Sequence, residues 1–258
     1  MNILQQICEQ TRIRVERNKA IVSLSEIEQR ALALPKGGFA FENALRGEGI
    51  SFICEIKRAS PSKGIIAEEF DYLQIAQDYT EAGAAAISVL TEPDWFKGAD
   101  SYLSEISSRV ETPLLRKDFT IDEYMIYEAK CIGASAILLI CAVIDRDTLT
   151  RYIQLADALG LCALVETHDE TEIETALAAG ARIVGVNNRN LKTFEVDISL
   201  SEQLRRRVPP ELVFVAESGI TTREEVARLQ SVGVDAVLIG EKIMRSVDKK
   251  IAIAELKG

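Results

Sequence analysis

Apolar residues along this chain gather in short runs, and several runs end in a polar or charged residue. SFICEIK ends in Lys57 with Glu55 two positions before it, PLLRK in Lys117, LCALVE in Glu166, RIVGVN in Asn187 and LVFVAE in Glu217. Short continuous runs rich in Ile, Val and Leu fit strands buried on both faces of a parallel sheet. A strand has a side-chain period of two, so Glu55 and Lys57 point to the same face. An unpaired charge in such a place is costly. One acid–base pair reads as a structural ion pair, whereas polar endings on five runs point to a reactive rim.

A second pattern precedes the runs. Gly83, Gly133, Gly160, Gly180 and Gly233 each follow an amphipathic stretch and lead into apolar residues. Glycine suits the left-handed position that ends a helix, so each instance predicts helix, tight turn, strand. Strands are expected at 51–57, 85–90, 114–117, 136–140, 162–166, 183–187, 213–217 and 236–239. Capping boxes are expected at Thr120 to Glu123, Thr167 to Glu170, Ser199 to Glu202 and Thr222 to Glu225, with Pro209 and Pro210 closing the helix before strand seven. Eight such units predict an α/β fold, a (β/α)8 TIM barrel, whose chemistry collects at the C-terminal strand ends. An open doubly wound sheet fits less well, because no GxGxxG turn follows the first strand.

Residues 1–48 precede the first strand as an N-terminal helical extension of a single domain spanning 1–258. Two helices are expected there, at 3–17 and at 25–34, the second opened by Ser25 with Glu28. Pro35, Gly37 and Gly38 then break the chain. Such an extension either plugs the barrel bottom or folds over the rim, and contact with the rim is the expectation.

Composition narrows the function. The chain has 258 residues, 47% of them hydrophobic and 27% charged, enough for a large core. A net charge of -10 argues against general nucleic-acid binding. No long apolar run predicts a membrane span, and the N-terminus lacks signal-peptide character, so a cytoplasmic location is expected. The five cysteines lack CxxC spacing and read as buried thiols, without a disulfide scaffold or zinc cluster. The single histidine, His168, reads as a solvated loop residue. Its solitude excludes multi-histidine metal sites and weakens any nucleophilic triad, leaving proton transfer to Lys and Glu.

Two late segments suggest phosphate recognition: Glu217-Ser218-Gly219 after strand seven and Ile239-Gly240-Glu241 after strand eight. Barrels commonly hold phosphate on backbone amides between these loops.

The segments EIKRASPSKG (55–64), LRKDF (115–119), GVNNRNLKTFEVD (185–197), ESGI (217–220) and IGEKIM (239–244) closely resemble the indole-3-glycerol phosphate synthase family of tryptophan biosynthesis, in order and through nearly the whole chain. The resemblance implies that 1-(2-carboxyphenylamino)-1-deoxyribulose 5-phosphate is cyclised with loss of carbon dioxide and water, without cofactor or metal. It makes Lys117 the general acid at the carbonyl, Lys57 the partner of the substrate carboxylate and a proton donor at dehydration, and Glu166 the general base or its partner. The division of steps between the two lysines stays open. Glu55, Asn187 and Glu217 are implied to orient these groups and the sugar hydroxyls. Ser60, Gly219, Gly240 and Glu241 match phosphate positions, Arg189 and Ser218 match other substrate contacts, and Phe119 is expected to wall the aryl pocket. Arg189 reads equally as a surface salt bridge, and Trp95 as packing outside the site. Two lysines in one pocket are expected to lower each other's pKa.

The sequence departs from the family in having VET around Glu166, NRN after Asn187, and Lys242 with a different C-terminal segment. No catalytic group is lost. The expected partner is therefore a small phosphorylated molecule, bound by a monomer, with neither nucleic acid nor membrane. Three rival readings remain: a Schiff-base aldolase using a desolvated barrel lysine, a phosphosugar isomerase, and a barrel that only binds a phosphorylated ligand.

Overall fold

The computed structural model describes residues 3–190 and 193–258. Eight strands, β1 (Ser51–Ile56), β2 (Ala86–Leu90), β3 (Leu114–Lys117), β4 (Ala136–Ile140), β5 (Cys162–Thr167), β6 (Ile183–Asn187), β7 (Val213–Glu217) and β8 (Ala236–Ile239), form a closed parallel barrel in chain order. The predicted strands agree to within a residue at each end. A two-residue hairpin, Ala59–Ser60 against Gly64–Ile65, follows β1.

Alternation along each strand sorts the residues. Ile53, Leu115, Leu164 and Val215 fill the barrel interior. Their neighbours Cys54, Leu114, Val165 and Ala216 face the surrounding helices. Both faces are buried, which explains why the strands read as continuous apolar runs. The same alternation turns Lys117 into the barrel mouth and Arg116 outward, where Arg116 is buried among Asp100, Glu128 and the Met125 carbonyl.

Helices α4 (Tyr72–Glu81), α5 (Asp100–Ser107), α6 (Glu123–Cys131), α7 (Arg146–Leu159), α8 (Glu170–Ala178), α9 (Ser199–Leu204), α10 (Arg223–Ser231), α11 (Glu241–Met244) and α12 (Lys249–Lys257) follow the strands. The preceding segment holds α1 (Ile3–Ile21), α2 (Leu24–Ala33) and α3 (Ala40–Leu45). It therefore contains one helix more than expected, and it touches both ends of the barrel. Phe41 and Leu45 of α3 pack into the barrel interior among Ile53, Cys162 and Ile183. Ile3, Leu4 and Ile7 of α1 reach the cavity at the rim. Arg14 of α1 holds Asp118 with two bonds of 2.8 and 2.9 Å, and Lys19 reaches Asp122 at 2.7 Å.

Helix ends correct several expectations. The five repeat glycines all have left-handed φ, from 72° to 89°. Of the four capping boxes, Thr222 with Glu225 is formed. Asp122 caps α6 and Asp169 caps α8, each two residues beyond the expected Thr. The start of α9 has no side-chain cap, and α2 is capped by Ser23 rather than Ser25. An Asp nearer the helix competes better for the free amides, because its carboxylate also meets the positive end of the helix dipole. All five cysteines are free, with Cys54 and Cys162 buried and Cys8, Cys131 and Cys141 only partly so.

Candidate active site

The C-terminal ends of the strands open into a cavity of about 1180 Å³. Lys117 stands at the end of β3 with its Nζ 3.0 Å from Glu166 Oε2 on β5 and 3.4 Å from Glu217 Oε2 on β7. Asn187, paired in register with Glu217, bonds to the Glu166 carboxylate and accepts the Arg189 amide at 3.1 Å. Lys57, just past β1, forms a short ion pair with Glu55. Every catalytic candidate named from the sequence therefore lines one cavity: Lys57, Lys117, Glu55, Glu166, Asn187 and Glu217.

Burial sets the charge states. It works to lower the pKa of Lys117, but the carboxylates of Glu166, Glu217 and Glu55 outweigh it and hold the ammonium well above its ordinary value. The expected lowering of Lys117 by the second lysine is therefore outweighed by the three carboxylates, which raise it. Burial pushes Glu217 up to about 7, with Glu166 and Glu55 adding to the rise and Lys117 opposing it. Glu166 is also raised by burial, yet Lys117 and His168 bring it below the usual carboxylate value. The rim therefore carries neighbouring carboxylates of opposite tendency, a pattern suited to separate acid and base duties.

The backbone makes room for these groups. A side chain at Gly185 on β6 would collide with the Glu217 carboxylate, and one at Gly240 would come within 2.5 Å of Glu55 Oε1. Beyond β7, Ser218 and Gly219 both have left-handed φ, 68° and 82°. Asn188 holds this turn by donating to the Ser218 carbonyl at 3.1 Å while its own oxygen accepts from Ser201. Gly240 precedes α11, whose first amides have no intrahelical acceptor.

Ser60, Ser218, Gly219, Gly240 and Glu241 all line the cavity, as do Phe119 and Arg189. Phe119 lies 6.2 Å from Phe96, centroid to centroid, as part of an apolar wall. The Arg189 guanidinium donates to the Phe194 carbonyl at 3.2 Å and, among the described residues, forms no salt bridge. Trp95 lines a separate small recess with Gln6, Glu9 and Asp94.

Sequence reasoning overlooked five contributors. Lys63, Arg228 and Arg245 join Lys242 in lining the cavity; Lys63 and Arg245 stand beside Glu241, next to Gly240, and Arg228 is paired with Glu202. Asp118 links the rim to α1. His168 is not a solvated loop residue: it is mostly buried between Glu166 and Glu172, a placement set by how α8 begins. Among the described residues no group of acidic, Cys and His side chains is arranged to hold a metal, and no helix is long and apolar enough to cross a membrane.

The profile of the indole-3-glycerol phosphate synthase family matches residues 4–256. The indole-3-glycerol phosphate synthase of Ruminiclostridium cellulolyticum is 56% identical over 257 residues, covering 99% of each chain. That of Endomicrobium trichonymphae is 52% identical over 256 residues, again covering 99% of each. Among solved structures, a 3-hexulose-6-phosphate synthase superposes with a TM-score of 0.63 at 16% identity, covering 80% of this chain and 98% of that one, a likeness of fold alone. The chain belongs to the indole-3-glycerol phosphate synthase family.

Proposed function

We propose that this protein cyclises 1-(2-carboxyphenylamino)-1-deoxyribulose 5-phosphate to indole-3-glycerol phosphate, releasing carbon dioxide and water. The observation that carries this reading is Lys117, held cationic between Glu166 and Glu217 in a cavity with an apolar wall and a glycine-rich, basic end.

The chemistry needs acids and bases in sequence. The ring carbon bearing the carboxylate attacks the ketone carbon while the ketone oxygen takes a proton. The bond to the carboxylate then breaks, carbon dioxide leaves, and its electron pair restores the aromatic ring. The new hydroxyl departs with a proton as water, and loss of the proton on the carbon beside nitrogen completes the indole.

Lys117 donates to the ketone oxygen, and the surrounding carboxylates keep it protonated for that task. Lys57, two strands away, meets the substrate carboxylate and donates a proton at dehydration. Glu166, the carboxylate of lower proton affinity, serves as base. Glu55, Asn187 and Glu217 orient these groups and the sugar hydroxyls, each positioned acid or base being worth about 10² to 10⁴ in rate. The amides of Gly219, Gly240 and Glu241 with the Ser60 hydroxyl hold the phosphate, aided by the field of Lys63, Lys242 and Arg245. Arg189 and Ser218 add substrate contacts, and Phe119 packs on the aryl ring. Lys and Glu suffice for every step, so the reaction calls for neither cofactor nor metal.

Insertion of α3 into the barrel interior supports reading 1–258 as one domain with 1–48 as its extension. Five free thiols suit the reducing cytoplasm.

Purified protein given the carboxyphenylamino substrate should develop indole fluorescence with one carbon dioxide released per turnover. Borohydride added during turnover should trap nothing. A reduced adduct on Lys57 or Lys117 would overturn the reading in favour of a Schiff-base aldolase, and product without carbon dioxide in favour of an isomerase.

A further inference from the structure

His168, the chain's one histidine, stands directly behind Glu166. Asp169 caps α8 by accepting the Glu172 amide at 2.9 Å, which brings the Glu172 carboxylate back over the turn. There Glu172 Oε2 accepts the His168 backbone amide at 2.8 Å and lies 3.0 Å from Nδ1. The other ring nitrogen, Nε2, is buried, forms no hydrogen bond, and sits 3.5 Å from Glu166 Oε1. That is the oxygen of Glu166 turned away from Lys117, which uses Oε2.

This geometry restricts where protons can be. Nδ1 faces a carboxylate and so carries a hydrogen. Nε2 is then either an N–H aimed at Glu166 or a bare lone pair aimed at the lone pairs of a carboxylate. The second arrangement is repulsive unless Glu166 itself holds the proton. The pair is comfortable with one proton between Nε2 and Oε1. We propose that His168, buttressed by Glu172, is a positioning residue that holds the Glu166 carboxylate in place and keeps it ionised for its work as base.

The groups facing His168 agree. Glu172 comes from α8, Glu166 from β5 and Glu217 from β7, and together they overcome the lowering effect of burial and raise the imidazole above its ordinary value. Lys117 lies on the far side of Glu166. Cys141, after β4, donates to the Glu172 carbonyl at 3.6 Å. Burial first, then Glu172, Glu166 and Asp169, push its thiol up to about 12, so it stays neutral. An imidazolium beside Glu166 lowers the proton affinity of that carboxylate. Its removal should move the acidic limb of the activity profile to higher pH.

The inference rests on Glu166 acting as base, and two measurements separate it from that reading. Because the chain has one histidine, nitrogen-15 NMR of the wild-type protein follows its ring without ambiguity. Both ring nitrogens should be protonated below a midpoint that lies above about 6.5, and Glu166→Gln or Glu172→Gln should each lower that midpoint by about half a unit or more. A midpoint at or below the ordinary value, or one indifferent to Glu166→Gln, would overturn the coupling whatever the activity. In kinetics, His168→Asn should shift the acidic limb of kcat/KM upward by about half a unit to one unit. It should also cut kcat about tenfold near the limb, with KM little changed. An equal loss at every pH, with the limb unmoved, would mean a structural role and sink the proposal. A histidine that responds to Glu166→Gln in a protein that makes no indole would instead count against the functional reading, while the pairing itself stands.

Discussion

Glu217 is the group least at ease in the rim. It is 1% exposed, one of its oxygens makes no hydrogen bond, and burial with two neighbouring carboxylates pushes it up to about 7. A carboxyl raised above its unfolded value of about 4.3 gives its full stability below that value. The contribution is then lost as pH rises through about 7. Glu217→Gln keeps the shape without the charge, so it should raise Tm at pH 8 by about 2–4 °C and leave it nearly unchanged at pH 4. Its turnover should fall by about 10². A Tm that does not rise at pH 8 would show that Lys117 compensates the charge fully. Lys117→Met tests the opposite member: turnover should drop by about 10³, while affinity for a phosphorylated product analogue stays within about tenfold, or about 1.4 kcal/mol. Retained turnover would refute Lys117 as the acid. These residues were legible in the sequence as endings of apolar runs, but their charge states were not. The partner that sets Lys117, Glu166, lies 49 residues along the chain, and barrel closure brings the two together.

At the scale of elements, the strands were legible because burial on both faces keeps them mostly apolar until the rim, Ser88 in β2 and Arg116 in β3 being buried exceptions. Helix starts were less so, since Thr120 and Asp122, or Thr167 and Asp169, compete for the same amides, and the winner is decided by where the preceding loop leaves the strand. Helix ends were legible through glycine, yet the glycines are not equivalent. Gly160, with φ 72°, ends α7 against Gly37, and a side chain on either would collide with the other's backbone. Gly37 donates to the Leu159 carbonyl at 3.1 Å, so this contact ties the segment between α2 and α3 to the barrel. Gly180, with φ 89°, has nothing within 4 Å of the position a side chain would take. Gly180→Ala should therefore cost about 1–2 kcal/mol, the left-handed penalty alone. Gly160→Ala should cost about 1–3 kcal/mol more, from overpacking. Chemical unfolding of the two variants checks the difference, and equal losses would mean that the Gly37 segment gives way freely.

For the whole molecule, the extension before β1 meets the barrel at both ends, a division invisible in the sequence because the helix that fills the bottom, α3, is only six residues long. The rim end depends on Asp118, which follows Lys117 and is 1% exposed. Its carboxylate takes Arg14 from α1 and Thr91, and also the amide of Phe119, on the aryl wall. Burial would raise Asp118, but Arg14 and Arg116 hold it below the usual carboxylate range. Its contribution is present above the unfolded value and is lost as pH falls through the folded one. Arg14 thus grips the backbone that carries both the proposed acid and the aryl wall, while α1 lays Ile3, Leu4 and Ile7 along the same cavity. Arg14→Ala leaves Asp118 with Thr91 and, 3.9 Å away, Arg116, so the fold should survive with Tm lower by about 2–4 °C. KM should rise about tenfold, a loss of about 1.4 kcal/mol in binding, with kcat falling less. Combining Arg14→Ala with Asp118→Asn should add little to KM beyond the worse single change, because the two side chains act through one contact. Additive effects would place the influence of α1 in its apolar residues rather than in this ion pair.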